Sequence, residues 1–193
     1  YFPAIIDEFK AAGRDIIITR KEKKKETKVE SAFLKDDTAM YDIKFKTEKD
    51  LKIKIEVDLD PPLGFTTEQK LSLMPFSFMT RCFTLPDLYA GKMHALLFRN
   101  WKTRVKGRDW YDFEWYVRHN VSLDFAHLQI RTKEFNGMDM DEKDFASILK
   151  ERLSSTDIAM VKRDVFPFIQ NPKELDIWSN DYFLQLADRV KFL

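Results

Sequence analysis

Carboxylates alternate with apolar side chains along the clearest strand pattern in the sequence. Residues 51–59 alternate strictly between apolar and polar side chains, which predicts a β-strand with one face in a core. The polar face carries Glu56 and Asp58, and Asp60 follows just beyond. Carboxylates on one edge repel one another, and a divalent cation such as Mg²⁺ would relieve that repulsion and leave room for substrate phosphates. The alternative is a solvated strand face, on which two lysines of the same face neutralise the acids.

A lysine stands alone among small and apolar residues in the stretch 88–97. The spacing predicts a helix that places Lys92 between Leu88 and Leu96 on one face. A lysine in an apolar stripe either extends its ammonium to solvent or meets an anion, and a phosphate suits the compact charge of an ammonium. The sequence leaves both alternatives open. His94, in the same stretch, is expected to be a packed or surface histidine.

The stretch that follows is strongly basic, although the formal net charge of the whole chain is only +1. Residues 88–108 contain six lysines or arginines and no acidic residue. Any contact with a polyanion must therefore come from this local block and not from bulk charge. We expect the substrate-contacting residues to be Lys92, Arg104, Lys106 and Arg108.

Two aspartates follow this block at the start of a predicted helix. Asp109 and Asp112 are three residues apart and therefore lie on one helix face. They either take part in a site or act locally, as helix N-terminal charges worth about 0.3–1 kcal/mol or through an Arg108–Asp112 pair. The same helix carries an aromatic run, which we interpret as core and not as a platform for stacking bases. The run is Trp110, Tyr111, Phe113, Trp115 and Tyr116.

The elements that would position these groups change character near Thr84, which resembles a capping-box residue with Asp87. The expected strands are residues 15–20, 28–34, 41–45, 51–59 and 76–83, after a short helix over residues 2–12 that is closed by Gly13. The expected helices are residues 86–99, 108–118, 123–133, 142–153, 157–169 and 175–192. The predicted fold class is α+β: a mostly antiparallel sheet in residues 1–84, packed across a cleft on a helical half in residues 85–193.

Composition places the chain among ordinary globular proteins, with 44% hydrophobic and 34% charged residues. Cys82 is the single cysteine, which excludes an intramolecular disulfide and a cysteine-rich zinc cluster. No apolar run approaches the roughly 20 residues that span a bilayer, and no signal-peptide pattern is present. We therefore expect a cytoplasmic protein with no membrane partner. The sequence begins at Tyr1 and not at methionine, so we interpret it as a fragment.

Taken in order, these motifs resemble a known family. The sequence runs KIEVDLDPP, then PDLYAGKMHALL, then WKTRVKGRDWYDFEWYV. This order is similar to that of the AbiEii/AbiGii nucleotidyltransferase toxins, within the DNA polymerase β-like nucleotidyltransferase superfamily. The resemblance covers residues 52–117 well and the rest loosely. In that family the site is built from a Gly-Ser turn with paired aspartates, an acidic strand, a helix lysine and an Arg-Asp-x-Tyr-Asp helix start.

The resemblance implies a role for each matching residue. Asp58, with Glu56, would supply the acidic strand and bind Mg²⁺ or Mn²⁺, and Asp58 would be catalytic. The matching positions on the helices, with catalytic or substrate-binding roles, are Lys92, Arg108, Asp109 and Asp112. The departure is the first motif, because no Gly-Ser followed by Asp-x-Asp precedes Lys52. That motif would lie upstream of Tyr1 or be lost, and we expect the chain as given not to hold catalytic metal properly.

The activity that the resemblance implies is transfer of a nucleotide from an NTP to an acceptor hydroxyl. The acceptor would be tRNA or another RNA, which suits the basic block. The biological setting would be abortive infection, in which a growth-arresting toxin with a cognate antitoxin acts in defence against phage. The alternative is a non-catalytic nucleotide- or RNA-binding module of the same fold, which the missing first motif favours.

Overall fold

The structure is a computed structural model of the 193-residue chain. It describes residues 2–13, 16–20, 38–45, 52–58, 61–74, 76–100 and 105–193. Within these ranges, only the backbone is described for residues 2, 19, 20, 38–45 and 52–58. The contacts divide the chain into two units, Tyr1–Pro61 and Pro62–Leu193. The sequence-based division at residue 84, with its cleft between halves, stays a prediction.

The first unit combines one helix with an antiparallel sheet. Helix α1 spans Phe2–Ala11 and is followed by Gly13, whose φ of +72° is the left-handed conformation that favours glycine at a helix end. Strands β1, β2 and β3 span Ile16–Arg20, Thr38–Phe45 and Lys52–Asp58, and they pair in that order. The strand predicted from the alternation in residues 51–59 is therefore confirmed over the residues described. The strand predicted at residues 28–34 lies outside the described residues.

The second unit begins with a hairpin that the sequence predicts only in part. Strand β4 spans Thr67–Ser72 and pairs antiparallel with β5, Phe78–Phe83. The prediction of a strand at residues 76–83 is confirmed with a later start. Strand β4 was not predicted, because five of its six residues are exposed and it lacks the apolar alternation that marks a half-buried strand.

Helices make up the rest of the second unit, which confirms the α+β class. Helices α2 to α7 span Leu85–Phe98, Gly107–Arg118, Phe125–Asn136, Glu142–Ser155, Ile158–Val165 and Asn180–Ala187. The two last predicted helices are wrong in extent. The helix predicted at residues 157–169 gives way to a 3₁₀ turn at Phe166–Phe168, because Pro167 lacks the N–H that an α-helix needs. The helix predicted at residues 175–192 begins only after Ser179, whose hydroxyl accepts from the Tyr182 N–H.

Asp87 fastens the start of α2 to the hairpin. Its Oδ2 accepts hydrogen bonds from the Thr84 hydroxyl at 2.5 Å, the Thr66 N–H at 3.0 Å and the Thr66 hydroxyl at 2.5 Å. Burial opposes ionisation, but these hydrogen bonds hold the pKa of Asp87 below its usual value. The capping box expected from the spacing is therefore wrong in its partners, since Thr84 is the N-cap but makes no side-chain cap bond.

Helix α3 supplies much of the core. Trp110, Phe113 and Tyr116 are buried, and the Tyr116 ring stacks on Tyr89 of α2 with centroids 4.4 Å apart. The interpretation of the aromatic run as core is confirmed for these three residues, whereas Tyr111 is exposed. Packing of α3 against α2 and α6 fixes where its first turn lies.

A close backbone contact locks the first turn of α3 onto α6. A Cβ atom on Gly107 would lie 2.2 Å from the Val161 carbonyl oxygen and 3.1 Å from the Val165 Cβ. The Gly107 N–H donates to Asp164 Oδ2 at 2.8 Å, which satisfies one of the N–H groups that a helix start leaves unpaired. Glycine is required here because of space and not because of an unusual φ.

The last residues of the chain return to the start of α4. Leu123 forms a parallel bridge with Phe192, and the Leu193 N–H donates to the Leu123 carbonyl at 3.0 Å. The Phe192 ring lies 4.8 Å from that of Phe125 and 5.6 Å from that of Phe145. This aromatic cluster packs against the main core.

Candidate functional site

A pocket of about 300 Å³ lies in the second unit, beside the first turn of α3. Helix α2 packs against both α3 and α4, and all three helices contribute to the lining. The charged side chains of the lining are Asp87, Lys92, Arg99, Arg108, Asp109 and Arg131. Four cations therefore face two carboxylates, and the pocket favours an anion.

Lys92 meets a carboxylate on the neighbouring helix. Its Nζ lies 2.7 Å from Asp112 Oδ2, while nearly half of the lysine side chain stays exposed. The sequence left open whether the Lys92 ammonium extends to solvent or meets an anion. In the structure it meets an anion, the Asp112 carboxylate. The pair joins α2 to α3, because the lysine belongs to one helix and the aspartate to the other. It also holds the ammonium at the edge of the pocket.

Asp109 is buried against Arg99. The Arg99 Nη1 donates to both carboxylate oxygens at 3.1 Å, and only 3% of Asp109 is accessible to solvent. Burial raises the pKa of Asp109, and the cations of Arg99, Arg108 and Lys92 act against that rise. The residue at the N-cap of α3 is Lys106, so Asp109 acts through Arg99 and not as a cap.

Helix α4 adds a wall that the sequence motifs do not include. Arg131 and His127 both line the pocket, one helical turn apart. The Arg131 Cζ lies 5.3 Å from the centroid of the Phe135 ring, within the range of a cation–π contact. Burial lowers the pKa of His127, and the charge of Arg131 lowers it further. The only sign of this wall in the sequence is the i, i+4 spacing of His127 and Arg131, which places both on one face of a helix. That spacing does not identify a site unless the packing of α4 on α2 is known.

His94 belongs to the core, as the sequence led us to expect. It is buried, its Nε2 lies 2.8 Å from Asn136 Oδ1, and its ring packs against Phe98 and Phe135. Burial lowers the pKa of His94 to about 4. At neutral pH the neutral imidazole therefore donates a hydrogen bond from α2 to the end of α4.

Some of the expected site residues cannot be related to this pocket. Glu56 and Asp58 lie on β3, and their side chains are outside the described part of the structure. Arg104, like Asp60, is outside the described residues, and Lys106 is half-buried just before α3. Among the residues that are described, no group of three or more His, Cys, Asp or Glu side chains is arranged for a metal ion. The approach of the acidic strand to the pocket stays a prediction.

The architecture and the pocket together define a class of protein: an α+β protein whose helical part contains a cation-rich pocket. Comparison with protein families matches the AbiEii nucleotidyl transferase toxin of type IV toxin–antitoxin systems over residues 1–186. The chain belongs to this family, and the resemblance seen in residues 52–117 extends over nearly the whole sequence. No curated protein and no solved structure was found to match it. Within the helices that the structure describes, none is long and apolar enough to cross a membrane.

Proposed function

We propose that this protein, expressed from its whole gene, transfers a nucleotide from an NTP to a hydroxyl group of an RNA acceptor, with tRNA as the first candidate, and acts as the toxin of its toxin–antitoxin pair. One observation carries the proposal: Lys92 of the helix-lysine motif and Arg108 and Asp109 of the Arg-Asp-x-Tyr-Asp motif line the same cation-rich pocket. A triphosphate needs several positive charges at one place. Such transfer depends mainly on positioning and on stabilisation of charge.

Two ion pairs support the positioning part of the mechanism. Asp112 holds the Lys92 ammonium at 2.7 Å, and Asp109 holds the Arg99 guanidinium through both carboxylate oxygens. In this reaction the acceptor hydroxyl loses its proton, its oxygen bonds to the α-phosphorus and pyrophosphate leaves. Lys92 and Arg108 would bind the phosphate oxygens and stabilise the negative charge that develops on the pyrophosphate. Asp109 and Asp112 would then act as positioning residues, since each is paired with a cation.

The basic block supports an RNA acceptor. Arg104, Lys106 and Arg108 follow α2 in the sequence and precede or begin α3, whose Arg108 lines the pocket. The cations of this block would bind the acceptor backbone, and such contacts weaken steeply with salt. A strong dependence of RNA binding on salt concentration is therefore part of the proposal.

A divalent cation does not fit the pocket as described. Both oxygens of Asp109 accept from Arg99, and the Oδ2 of Asp87 accepts from Thr66 and Thr84, so these two carboxylates leave only Asp87 Oδ1 without a hydrogen bond. We propose that Mg²⁺ or Mn²⁺ binds instead to Asp58, with Glu56, on β3. The test is a titration of the protein, expressed from its whole gene, with Mn²⁺, in which binding is measured by water-proton relaxation. It should show a site that Asp58→Asn removes, and unchanged binding in that variant would exclude this assignment.

The test of the function is incubation of the protein with each labelled NTP and total RNA. Wild-type protein should label RNA, and Lys92→Ala and Arg108→Ala should not. Lys133→Ala is the matched control, because Lys133 is exposed and paired with Asp139 away from this pocket. Binding of NTP without any transfer would favour the non-catalytic module, and absence of both would reject the proposal.

A further inference from the structure

Arg131 is a charged part of the pocket that none of the sequence motifs contains. We propose that Arg131 of α4 binds the polyphosphate of the nucleotide together with Lys92 of α2 and Arg108 of α3. Three helices would then hold the substrate, since α3 and α4 both pack on α2. The inference rests on the proposed function and adds a binding residue from outside the motif region.

The surroundings of Arg131 fix the position of its guanidinium. It lies over the Phe135 ring, 5.3 Å from the ring centroid. Its Cζ is also 4.0 Å from the point where a Cβ on Gly91 would lie, one residue before Lys92. The guanidinium therefore reaches the surface of α2 next to the proposed phosphate-binding lysine. A planar guanidinium with several N–H donors suits phosphate oxygens better than any other side chain.

The pocket favours an anionic ligand that can contact several separate cations. The lining holds four cations and two carboxylates, and Asp112 adds a third carboxylate beside Lys92. Even with that pair counted, the positive charges outnumber the negative ones. A single phosphate would not need a cation from each of three helices, whereas a triphosphate extends far enough to use them.

The proposal predicts a loss of affinity that increases with the number of phosphates. In Arg131→Gln, binding of inorganic tripolyphosphate and of NTPs should weaken by about 10- to 100-fold, the range typical of a hydrogen bond to a charged group. Binding of orthophosphate should weaken much less. In transfer assays KM for the NTP should rise more than kcat falls, because the contact is made before and during the reaction.

Lys133→Gln is the matched control. Lys133 is a cation on the same helix as Arg131, but it lines a different groove. This control variant should bind tripolyphosphate like wild type, and thermal unfolding should verify that both variants are folded. Arg131→Lys keeps the charge but loses the planar donor group, and it should lose affinity several-fold even if Arg131→Gln fails to fold.

Three outcomes would overturn the inference. If Arg131→Gln and Arg131→Lys bind tripolyphosphate like wild type while Lys92→Ala and Arg108→Ala do not, Arg131 is not a ligand, and the proposed function stands. If all four variants bind like wild type, the pocket itself is not the nucleotide site, and the proposed function fails with it. An equal loss of affinity for orthophosphate and tripolyphosphate in the Arg131 variants would also count against a polyphosphate contact.

Discussion

The Lys92 ammonium lies 2.7 Å from the Asp112 carboxylate, and the two residues belong to different helices and to different sequence motifs. Both side chains are partly exposed, so solvent screens their attraction and the pair contributes little to stability. Its effect is geometric. The pair fixes the ammonium at the edge of a pocket that Arg108 and Asp109 also line.

Replacement of the lysine should remove transfer and leave the fold. Lys92→Ala loses a screened ion pair worth roughly 0.2–1 kcal/mol, and alanine is a better helix former, so the melting temperature should hardly change. Transfer from labelled NTPs and growth arrest should both be lost. A variant that melts like wild type and still transfers would contradict the role given to Lys92.

Asp112→Asn separates positioning from surface pairing. If Asp112 only pairs on the surface, its neutralisation should leave both stability and activity nearly unchanged. If it holds Lys92 in the site, transfer should fall by orders of magnitude at unchanged stability, because the ammonium is no longer oriented. We expect the second result, measured by single-turnover transfer beside urea unfolding.

Asp109→Asn should affect both stability and activity. A helix N-terminal charge on the surface would lose almost nothing on this change, but Asp109 is buried and accepts both bonds from Arg99. Neutralising it leaves a partly buried guanidinium with a weaker partner, at a cost of about 1–3 kcal/mol. Urea titration of Asp109→Asn beside Asp112→Asn should give the larger loss for Asp109, and equal small losses would count against the buried pair.

His94 should make stability depend on acidity. Its pKa is about 4 when folded against an ordinary value of 6.5, so the unfolded chain binds the proton more strongly. The neutral His94 therefore contributes fully to the free energy of unfolding above pH 6.5, and this contribution is lost as the pH falls toward 4. Between pH 7 and pH 5 the free energy of unfolding should fall by about 2 kcal/mol. The free energies of unfolding of wild type and His94→Gln should therefore converge by about that amount on acidification. Parallel pH profiles for the two proteins would show that His94 is not the group responsible.

Two glycines should respond to alanine with opposite signs. In Gly107→Ala the new methyl group meets the Val161 carbonyl at 2.2 Å, so α3 and α6 must separate, at a cost of about 2 kcal/mol or more. In Gly91→Ala the nearest atom is 4.0 Å away, and the better helix propensity should stabilise by about 0.5–1 kcal/mol. Thermal unfolding of both variants tests the contact, and a neutral Gly107→Ala would refute the close approach.

The sequence predicts those parts of the fold that leave a local periodic signal. The helices α2, α3 and α5 are found within a few residues of their predicted bounds. In α3 and α5 the signal is apolar residues at helical spacing, whereas α2 is marked by its start, with Thr84 before it and Pro86 in its first turn. Strand β4 leaves no such signal, since its side chains are mostly exposed. The helix predicted at residues 175–192 shows the converse error, in which apolar residues that pack as separate short segments imitate one long period.

For the candidate site, the sequence finds residues whose neighbours in the chain already look unusual. Lys92 stands out in an apolar stretch, and Asp109 follows a basic block. Arg131 and the Asp87 link to the hairpin depend on contacts between distant segments, which composition and spacing do not encode. The ion pair of Asp112 also depends on such a contact. Spacing along the helix predicts Arg108 as its partner, whereas the structure pairs it with Lys92 of the neighbouring helix.

The return of the chain to Leu123 bears on where this protein can be cut. The family match ends at residue 186, and an expression clone ended there would omit Phe192. The rings of Phe125 and Phe145 would then lose a shared neighbour, and the Leu123 carbonyl would lose the Leu193 N–H. The protein made from such a clone would expose aromatic surface at the start of α4, the helix that carries Arg131, and exposed apolar surface favours aggregation. A purification tag should therefore follow Leu193 and not replace residues 187–193.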